Sequence, residues 1–176
     1  MFFNQRARAT QALETALAID PSDTTVKNIL GLFYGEAGKF HLAVMQFQSA
    51  LRDDPENANT LFNLGFVRQK QNEHSEAIQA FDAALRINPA IDRAWFGRGI
   101  SRAALGRHEQ AISDFERAAK LQPMNPHALF ELGMQHHALN NRDKLIATIN
   151  RLREFDPEAT RELIAATHTA ADMKQD

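Results

Sequence analysis

The spacing of the prolines constrains the fold of this chain more than any other feature. Five of the six prolines follow one another at intervals of 34 residues, at Pro21, Pro55, Pro89, Pro123 and Pro157. The same interval separates four glycines, Gly31, Gly65, Gly99 and Gly133. A period of this length is typical of a helix–turn–helix unit that stacks into a solenoid. The sequence therefore predicts an all-α chain built from repeated helix pairs.

Each repeat reads as two helices joined by a short turn. Residues 58–71 and 74–87 both carry apolar side chains at helical spacing, and QNEH at 71–74 separates them. Asn88-Pro89 ends the second helix, because proline disfavours the helical conformation of the residue before it. Glycine and alanine recur where two helices must approach closely, since larger side chains there would push the pair apart.

These residues resemble the tetratricopeptide repeat family, whose pattern runs Leu-Gly, aromatic, Ala, aromatic, Ala, Pro. Residues 24–57 match the pattern through Leu30, Gly31, Tyr34, Gly38, Phe40, Ala43, Phe47, Ala50 and Pro55. Residues 92–125 match through Trp95, Gly99, Gly106, Ala111, Phe115, Ala118 and Pro123. The resemblance implies a right-handed α-solenoid of antiparallel helix pairs, and we expect residues 1–176 to form a single domain.

Two of the full repeats depart from the pattern. Residues 58–91 have Arg68 at the position of Tyr34. Residues 126–159 fit in the first helix, but their second helix has larger side chains at the small and aromatic positions, namely Leu145, Ile149 and Leu152.

The two ends are incomplete repeats. Residues 5–21 match only a second helix, and its first helix is missing apart from the residues MFF. Either the natural chain has lost that helix or the chain is an excised piece of a longer array, and we favour excision because an unpaired helix exposes apolar surface. Residues 158–171 are expected to form a polar-faced capping helix with Thr167 at the glycine position, and DMKQD a frayed end.

Composition and motifs exclude several classes of function. The net charge of −2 and the pI of about 6.4 argue against nucleic-acid binding, and no apolar run has the length of a membrane span. No catalytic or phosphate-binding motif occurs. Adjacent His136 and His137 point about 100° apart on a helix and cannot hold one ion, and His74 and His108 fall at turns where we expect solvent exposure. We expect no enzyme activity, no cofactor and no metal.

Several carboxylates match arginines in the packing layer. Arg98 replaces a leucine of the other repeats, and Asp114 appears only in that repeat, so a charge in the core is expected to be paired. The resemblance implies the same Arg–Asp pair between the two helices. By analogous matching we expect two further ion pairs, Arg68 with Asp82 and Arg102 with Glu116.

The resemblance also implies a concave groove lined by the first helices, and two columns of residues fall on it. The fifth position of each repeat holds Asn28, Phe62, Phe96 and Phe130. The ninth position holds Leu32, Phe66, Ile100 and Met134. Aromatic side chains at the fifth position partly pack between repeats, whereas the ninth position often holds Asn in the family. Four apolar residues there predict a groove that takes an apolar strip, or one that closes on the chain's own termini or self-associates.

Polar side chains are expected to frame that strip. They are Asn63, Lys70, Arg93, Glu131 and His137. A carboxylate clamp like that of chaperone-binding relatives is not expected. The five clamp positions hold Asn28, Leu32, Asn63, Arg93 and Gly97, of which only Asn63 matches exactly and Arg93 is a partial substitute.

The sequence therefore predicts a non-enzymatic scaffold that binds a peptide or partner helix through hydrophobic anchors. The alternatives are a small chaperone for a secreted or assembly substrate, a regulatory segment of a larger enzyme or membrane-anchored assembly factor, and self-association through the helix at 5–19. We expect a cytoplasmic location. The alternatives are a periplasmic location, or a place in a membrane-anchored chain if residues precede Met1.

Overall fold

A computed structural model describes the backbone of residues 2–172 and the side chains of residues 6–167. This part of the chain contains ten helices and no strand, which confirms the all-α class. The helices are α1 (Phe2–Ile19), α2 (Thr24–Glu36), α3 (Phe40–Asp53), α4 (Ala58–Lys70), α5 (His74–Ile87), α6 (Asp92–Ala104), α7 (His108–Leu121), α8 (Pro126–Ala138), α9 (Arg142–Arg153) and α10 (Pro157–Asp172). The predictions about the side chains of MFF and about the tail after Asp172 lie outside the described residues. None of the described helices has the length and apolar character needed to cross a membrane.

The helices form two compact units, Met1–Pro89 and Ala90–Asp176, which are called unit 1 and unit 2. In unit 1 each of α1 to α4 packs against the next helix along the chain. In unit 2 the same holds from α6 to α9, and α10 packs against both α8 and α9. The boundary falls close to the predicted border between residues 58–91 and 92–125. The expectation of a single domain stays a prediction.

The turns inside the repeats share one backbone conformation. Three residues link the two helices of each repeat, and the middle one has a φ between 56° and 71°. These middle residues are Gly38 and Asn72 in unit 1 and Gly106 and Asn140 in unit 2. Glycine has no Cβ to clash in this left-handed region, and asparagine tolerates it better than most residues. This requirement explains why only these two residue types occur at the four turns.

A close contact joins the two helices of each regular repeat. A Cβ added to Gly31 would lie 2.6 Å from Cε1 of Phe47, and one added to Gly99 would lie 2.7 Å from Cε1 of Phe115. Both phenylalanines are fully buried. The large ring therefore fits only because the facing residue has no side chain.

The last helix pair departs from this arrangement. The group closest to a Cβ on Gly133 is Leu163 of α10, at 2.6 Å, and not a residue of α9. Leu145 and Leu152 stand on α9 where the regular repeats have alanine, and such bulk is incompatible with the usual close approach of α9 to α8. Helix α10 supplies the missing side chain: Leu163 is fully buried, whereas Ile149 of α9 is only partly buried.

Helix α1 is covered less than the other second helices. Ala9, Leu13 and Ala16 are half-buried, although the equivalent residues of α3, Ala43, Phe47 and Ala50, are almost fully buried. Leu13 and Leu17 pack against the core of unit 1. In the other repeats this side of the second helix is covered by the first helix of the same repeat. On α1 it therefore remains partly accessible to solvent.

Candidate binding surfaces

Unit 1 exposes two large apolar side chains at the ninth position of its repeats. Leu32 on α2 is 43% exposed and Phe66 on α4 is 45% exposed. Helices α2 and α4 contact each other, so the two positions belong to neighbouring elements. Phe62 stacks on Phe66 with ring centroids 6.5 Å apart, and its ring is tilted against the buried ring of Phe81 at a centroid distance of 6.0 Å. Leu32, Phe62 and Phe66 are called the unit 1 apolar patch.

Polar groups around this patch have distinct roles. The Lys70 ammonium lies 5.2 Å from the centre of the Phe66 ring, a cation–π geometry. Asn63 is half-buried on α4. Asn28 is tied into the packing, because its amide nitrogen donates to the Thr24 carbonyl at 2.9 Å and its oxygen accepts from the Thr60 hydroxyl at 2.7 Å. Asn28 therefore joins α2 to α4 in addition to any contact with a ligand.

The equivalent residues of unit 2 are more deeply packed. They are half-buried and lie against the core of the unit: Phe96, Ile100, Phe130 and Met134. Phe96 contacts the buried ring of Phe115 at a centroid distance of 5.7 Å. The ninth-position column thus has two characters, exposed in unit 1 and half-buried in unit 2, a difference that the spacing alone did not reveal. Arg93 lies exposed on α6.

Phe130 and Glu131 line an acidic cleft of about 400 Å³ in unit 2. Its other acidic residues are Asp156, which precedes α10, and Glu158 and Glu162 in the first turns of that helix. Burial raises the pKa of Glu131, and the charge of His127 opposes that effect. Asp156 is already engaged, since its carboxylate accepts from the Glu158 and Ala159 backbone amides as the N-terminal cap of α10.

His137 lines a second cleft of unit 2, of about 500 Å³, at the end of α8. Leu145, Ile146 and Ile149 of α9 form its apolar part, and Ile146 is 47% exposed. The cleft lies beside the α9 residues whose bulk departs from the regular pattern. The sequence pattern shows that departure but does not predict a cleft.

The structure brings Arg98 and Asp114 together. The Arg98 Nη2 atom lies 2.6 Å from Oδ1 of Asp114, and Nε lies 3.1 Å from Oδ2. The Asp114 side chain is 1% exposed. Burial raises the pKa of the Asp114 carboxyl, and the hydrogen bonds and charges of Arg98 and Arg102 offset only part of that effect.

The other two expected ion pairs need correction. Arg102 pairs with Asp114, at 2.8 Å, and not with Glu116, because Arg98 and Arg102 lie one turn apart on α6 and face the same carboxylate. Glu116 is exposed. Arg68 pairs with Glu73 and not with Asp82, since the turn after α4 brings Glu73 back to the end of that helix.

The turn histidines are less exposed to solvent than the sequence predicted. His74 and His108 are both half-buried, and the Nδ1 atom of His108 lies 2.9 Å from the amide oxygen of Gln135. His108 falls at the start of α7, and its contact with Gln135 of α8 shows that the neighbouring first helix covers part of that ring. Within residues 6–167, no three His, Asp or Glu side chains are arranged to hold a metal ion.

Comparison with known proteins decides the family. The family model described as tetratricopeptide repeat matches residues 30–90, 67–123 and 96–160. The chain belongs to the tetratricopeptide repeat family. No curated protein sequence matches it closely enough to count as a relative.

Solved structures of similar fold include other tetratricopeptide proteins. A crystal structure of MamA has a TM-score of 0.84 and 21% identity, with 94% of both chains covered. YrrB, described as having an unusual peptide-binding site, has a TM-score of 0.79 and 24% identity, with 91% of this chain and 84% of that chain covered. The first repeat domain of Spaghetti (RPAP3), bound to the HSP90 peptide SRMEEVD, has a TM-score of 0.66 and 27% identity over 69% of this chain and 96% of that chain. The likeness to MamA and YrrB establishes a shared fold.

Proposed function

We propose that the chain is a non-enzymatic interaction scaffold that binds a peptide or partner helix through hydrophobic anchors. The observation that carries this proposal is the exposure of Leu32 and Phe66 at equivalent positions of two contacting first helices. The peptide-binding site named for YrrB and the HSP90 peptide bound to the Spaghetti (RPAP3) domain support the general mode of binding. Exposed apolar side chains of this size gain free energy when a ligand removes them from water.

The unit 1 apolar patch supplies the main anchor contacts in this proposal. Burying a large apolar side chain fully contributes about 1.5–3 kcal/mol, before the cost of ordering the ligand is subtracted. Phe66 has more to gain than Phe62, because Phe62 already packs on Phe81. Lys70 beside the ring favours a ligand that carries an acidic or polar group next to its apolar anchor.

Replacement of Phe66 tests the proposal. A displayed library of random peptides is selected on immobilised wild-type chain, and the affinity of the selected peptides is then measured for Phe66→Asp. We expect a loss of at least tenfold, because a carboxylate replaces the anchor contact. The matched control is Met45→Asp, which introduces the same charge at an exposed apolar position of α3 and should leave affinity unchanged.

Circular dichroism separates a binding defect from an unfolded protein. Helix content and melting temperature of Phe66→Asp should stay close to those of the wild type, since nearly half of the side chain is already exposed. Unchanged peptide affinity in Phe66→Asp, or equal losses in the two variants, would contradict the proposal.

Self-association through α1 is a second candidate function. Its half-buried Ala9, Leu13 and Ala16 present the face that a first helix covers in the other repeats, and Ile19 is exposed. Multi-angle light scattering over a range of concentrations tests it. A strict monomer at all concentrations rules this candidate out and leaves the peptide-binding proposal intact.

A further inference from the structure

A third cleft of unit 2 lies between α7, α8 and α9 and contains none of the groove residues. Its volume is about 320 Å³. Its polar lining consists of Glu116, His136, Lys144, Thr148 and Arg151. It is called the outer cleft.

One member of this lining has an unsatisfied hydrogen-bonding group. His136 is only 3% exposed, and its Nδ1 atom is buried without a hydrogen-bond partner. A buried polar group that lacks a partner destabilises the folded state, so most such groups in proteins are paired. His136 also lines the outer cleft, so a group bound there lies beside a ring that has a hydrogen bond to gain.

The repeat itself indicates which chemical group that is. His136 occupies the eleventh position of its repeat, and the three equivalent residues each contact a carboxylate. The Tyr34 hydroxyl donates to Glu14 at 2.6 Å, Arg68 pairs with Glu73, and Arg102 pairs with Asp114 at 2.8 Å. Within residues 6–167, His136 is the one member of this column that has no hydrogen bond or ion pair to a carboxylate, although the charge of Glu116 acts on its ring.

The charges of the outer cleft suit a single negative charge. Lys144 and Arg151 contribute two positive charges and Glu116 one negative charge, which leaves one positive charge while His136 is neutral. Burial and the charge of Lys144 lower the pKa of His136, and Glu116 opposes them. The Arg151 Nη2 atom donates to the Ala119 carbonyl at 3.3 Å, and this hydrogen bond holds the guanidinium beside the cleft.

We propose that the outer cleft binds one carboxylate group of a protein partner, between Lys144 and Arg151 and hydrogen-bonded by an N–H of the His136 ring. The group belongs to an Asp or Glu side chain or to a chain terminus, since both present the same chemistry. Thr148 is not required as a donor, because its hydroxyl already donates to the Lys144 carbonyl at 2.8 Å. The site is separate from the unit 1 apolar patch, so either proposal can fail alone.

Titration with small carboxylates, observed through the His136 ring by NMR, tests the site. We expect sodium acetate to cause a saturable shift of the His136 resonances and to raise the pKa of the ring, whereas sodium chloride at equal ionic strength should not. Lys144→Gln should weaken acetate binding at least tenfold, and Glu116→Gln should strengthen it. The matched control Lys120→Gln removes a lysine of α7 that lies outside the outer cleft and should bind acetate like the wild type.

Further probes distinguish the sources of the carboxylate and the alternative anion. N-acetylalanine presents only a terminal carboxylate, and N-acetylglutamate amide presents only a side-chain carboxylate. N-acetylglutamine amide presents no carboxylate and serves as the control. Binding of either carboxylate probe supports the proposal. A linear, unsaturable response to acetate, equal affinity in Lys144→Gln and wild type with native helix content, or inorganic phosphate that binds more tightly than acetate would overturn it.

Discussion

Two glycines of the third repeat have different structural roles. Gly99 faces the Phe115 ring, which leaves no room for a side chain. Gly106 has open space around it but a φ of 71°, a conformation that residues with a Cβ rarely adopt. Substitution of the first is therefore limited by packing, and substitution of the second by backbone conformation.

Alanine substitutions of the two glycines should lower the free energy of unfolding by different amounts, and a second substitution should restore stability in only one of them. We expect Gly106→Ala to destabilise the chain by about 1 kcal/mol and Gly99→Ala by about 1–3 kcal/mol, measured by urea unfolding. A second substitution, Phe115→Leu, should recover part of the loss in Gly99→Ala and none in Gly106→Ala. Equal rescue of both variants would mean that the ring contact is not the cause.

The buried carboxylate between two arginines is the next residue-scale feature to test. Removal of one partner of a buried ion pair typically costs about 3–5 kcal/mol, because the remaining charges lose their partner. We therefore expect Asp114→Ala to lower the free energy of unfolding by several kcal/mol, since it removes the buried carboxylate that both Arg98 and Arg102 contact. Glu73→Ala breaks a more exposed pair with Arg68 and should cost about 1 kcal/mol or less. Similar costs for the two variants would contradict the assigned role of Asp114.

At the scale of helices, the final pair shows how one element substitutes for another. Leu163 of α10 takes the place against Gly133 that a second-helix residue takes in the regular repeats. Helix α10 is thus part of the core of unit 2 as well as a cap, while its outer face carries the exposed charges Glu158, Arg161 and Glu162.

This substitution predicts an inverted order of mutational costs. Leu163→Ala should cost about 2–5 kcal/mol, because the side chain is fully buried and leaves a cavity. Ile149→Ala should cost less, since Ile149 is only partly buried. Chemical denaturation of both variants checks the order. If α9 held the regular position, Ile149→Ala would be the more damaging change.

At the scale of the whole molecule, stability should depend on pH through His136. Its folded-state pKa is lowered from the ordinary value of 6.5 by burial and by Lys144, against the opposing charge of Glu116. The unfolded chain therefore binds the proton more readily, and stability present above about pH 6.5 is lost as the pH falls toward the folded-state pKa. The folded-state pKa of Glu131 is raised, so at lower pH its protonation favours the folded chain and opposes the effect of His136 on stability.

Comparison of variants isolates the histidine contribution. Urea midpoints between pH 8 and pH 5, in a buffer free of carboxylates, should fall less steeply for His136→Asn than for the wild type. His41→Asn, at an exposed position of α3, serves as the control and should keep the wild-type slope. An unchanged slope in His136→Asn would show that the ring is not the group that titrates.

The 34-residue spacing was sufficient to place the helices, the turns and the recurring glycine and phenylalanine positions. These features depend on which residues share a helix face or a turn, and that follows from helical geometry within a few residues. Tertiary structure alone decided that Arg102 shares Asp114, that Leu163 replaces Ile149, and that the ninth position is exposed in unit 1 and half-buried in unit 2. It also formed the outer cleft. Contacts between helices depend on how closely the helices approach, and that distance is set jointly by the volumes of many side chains.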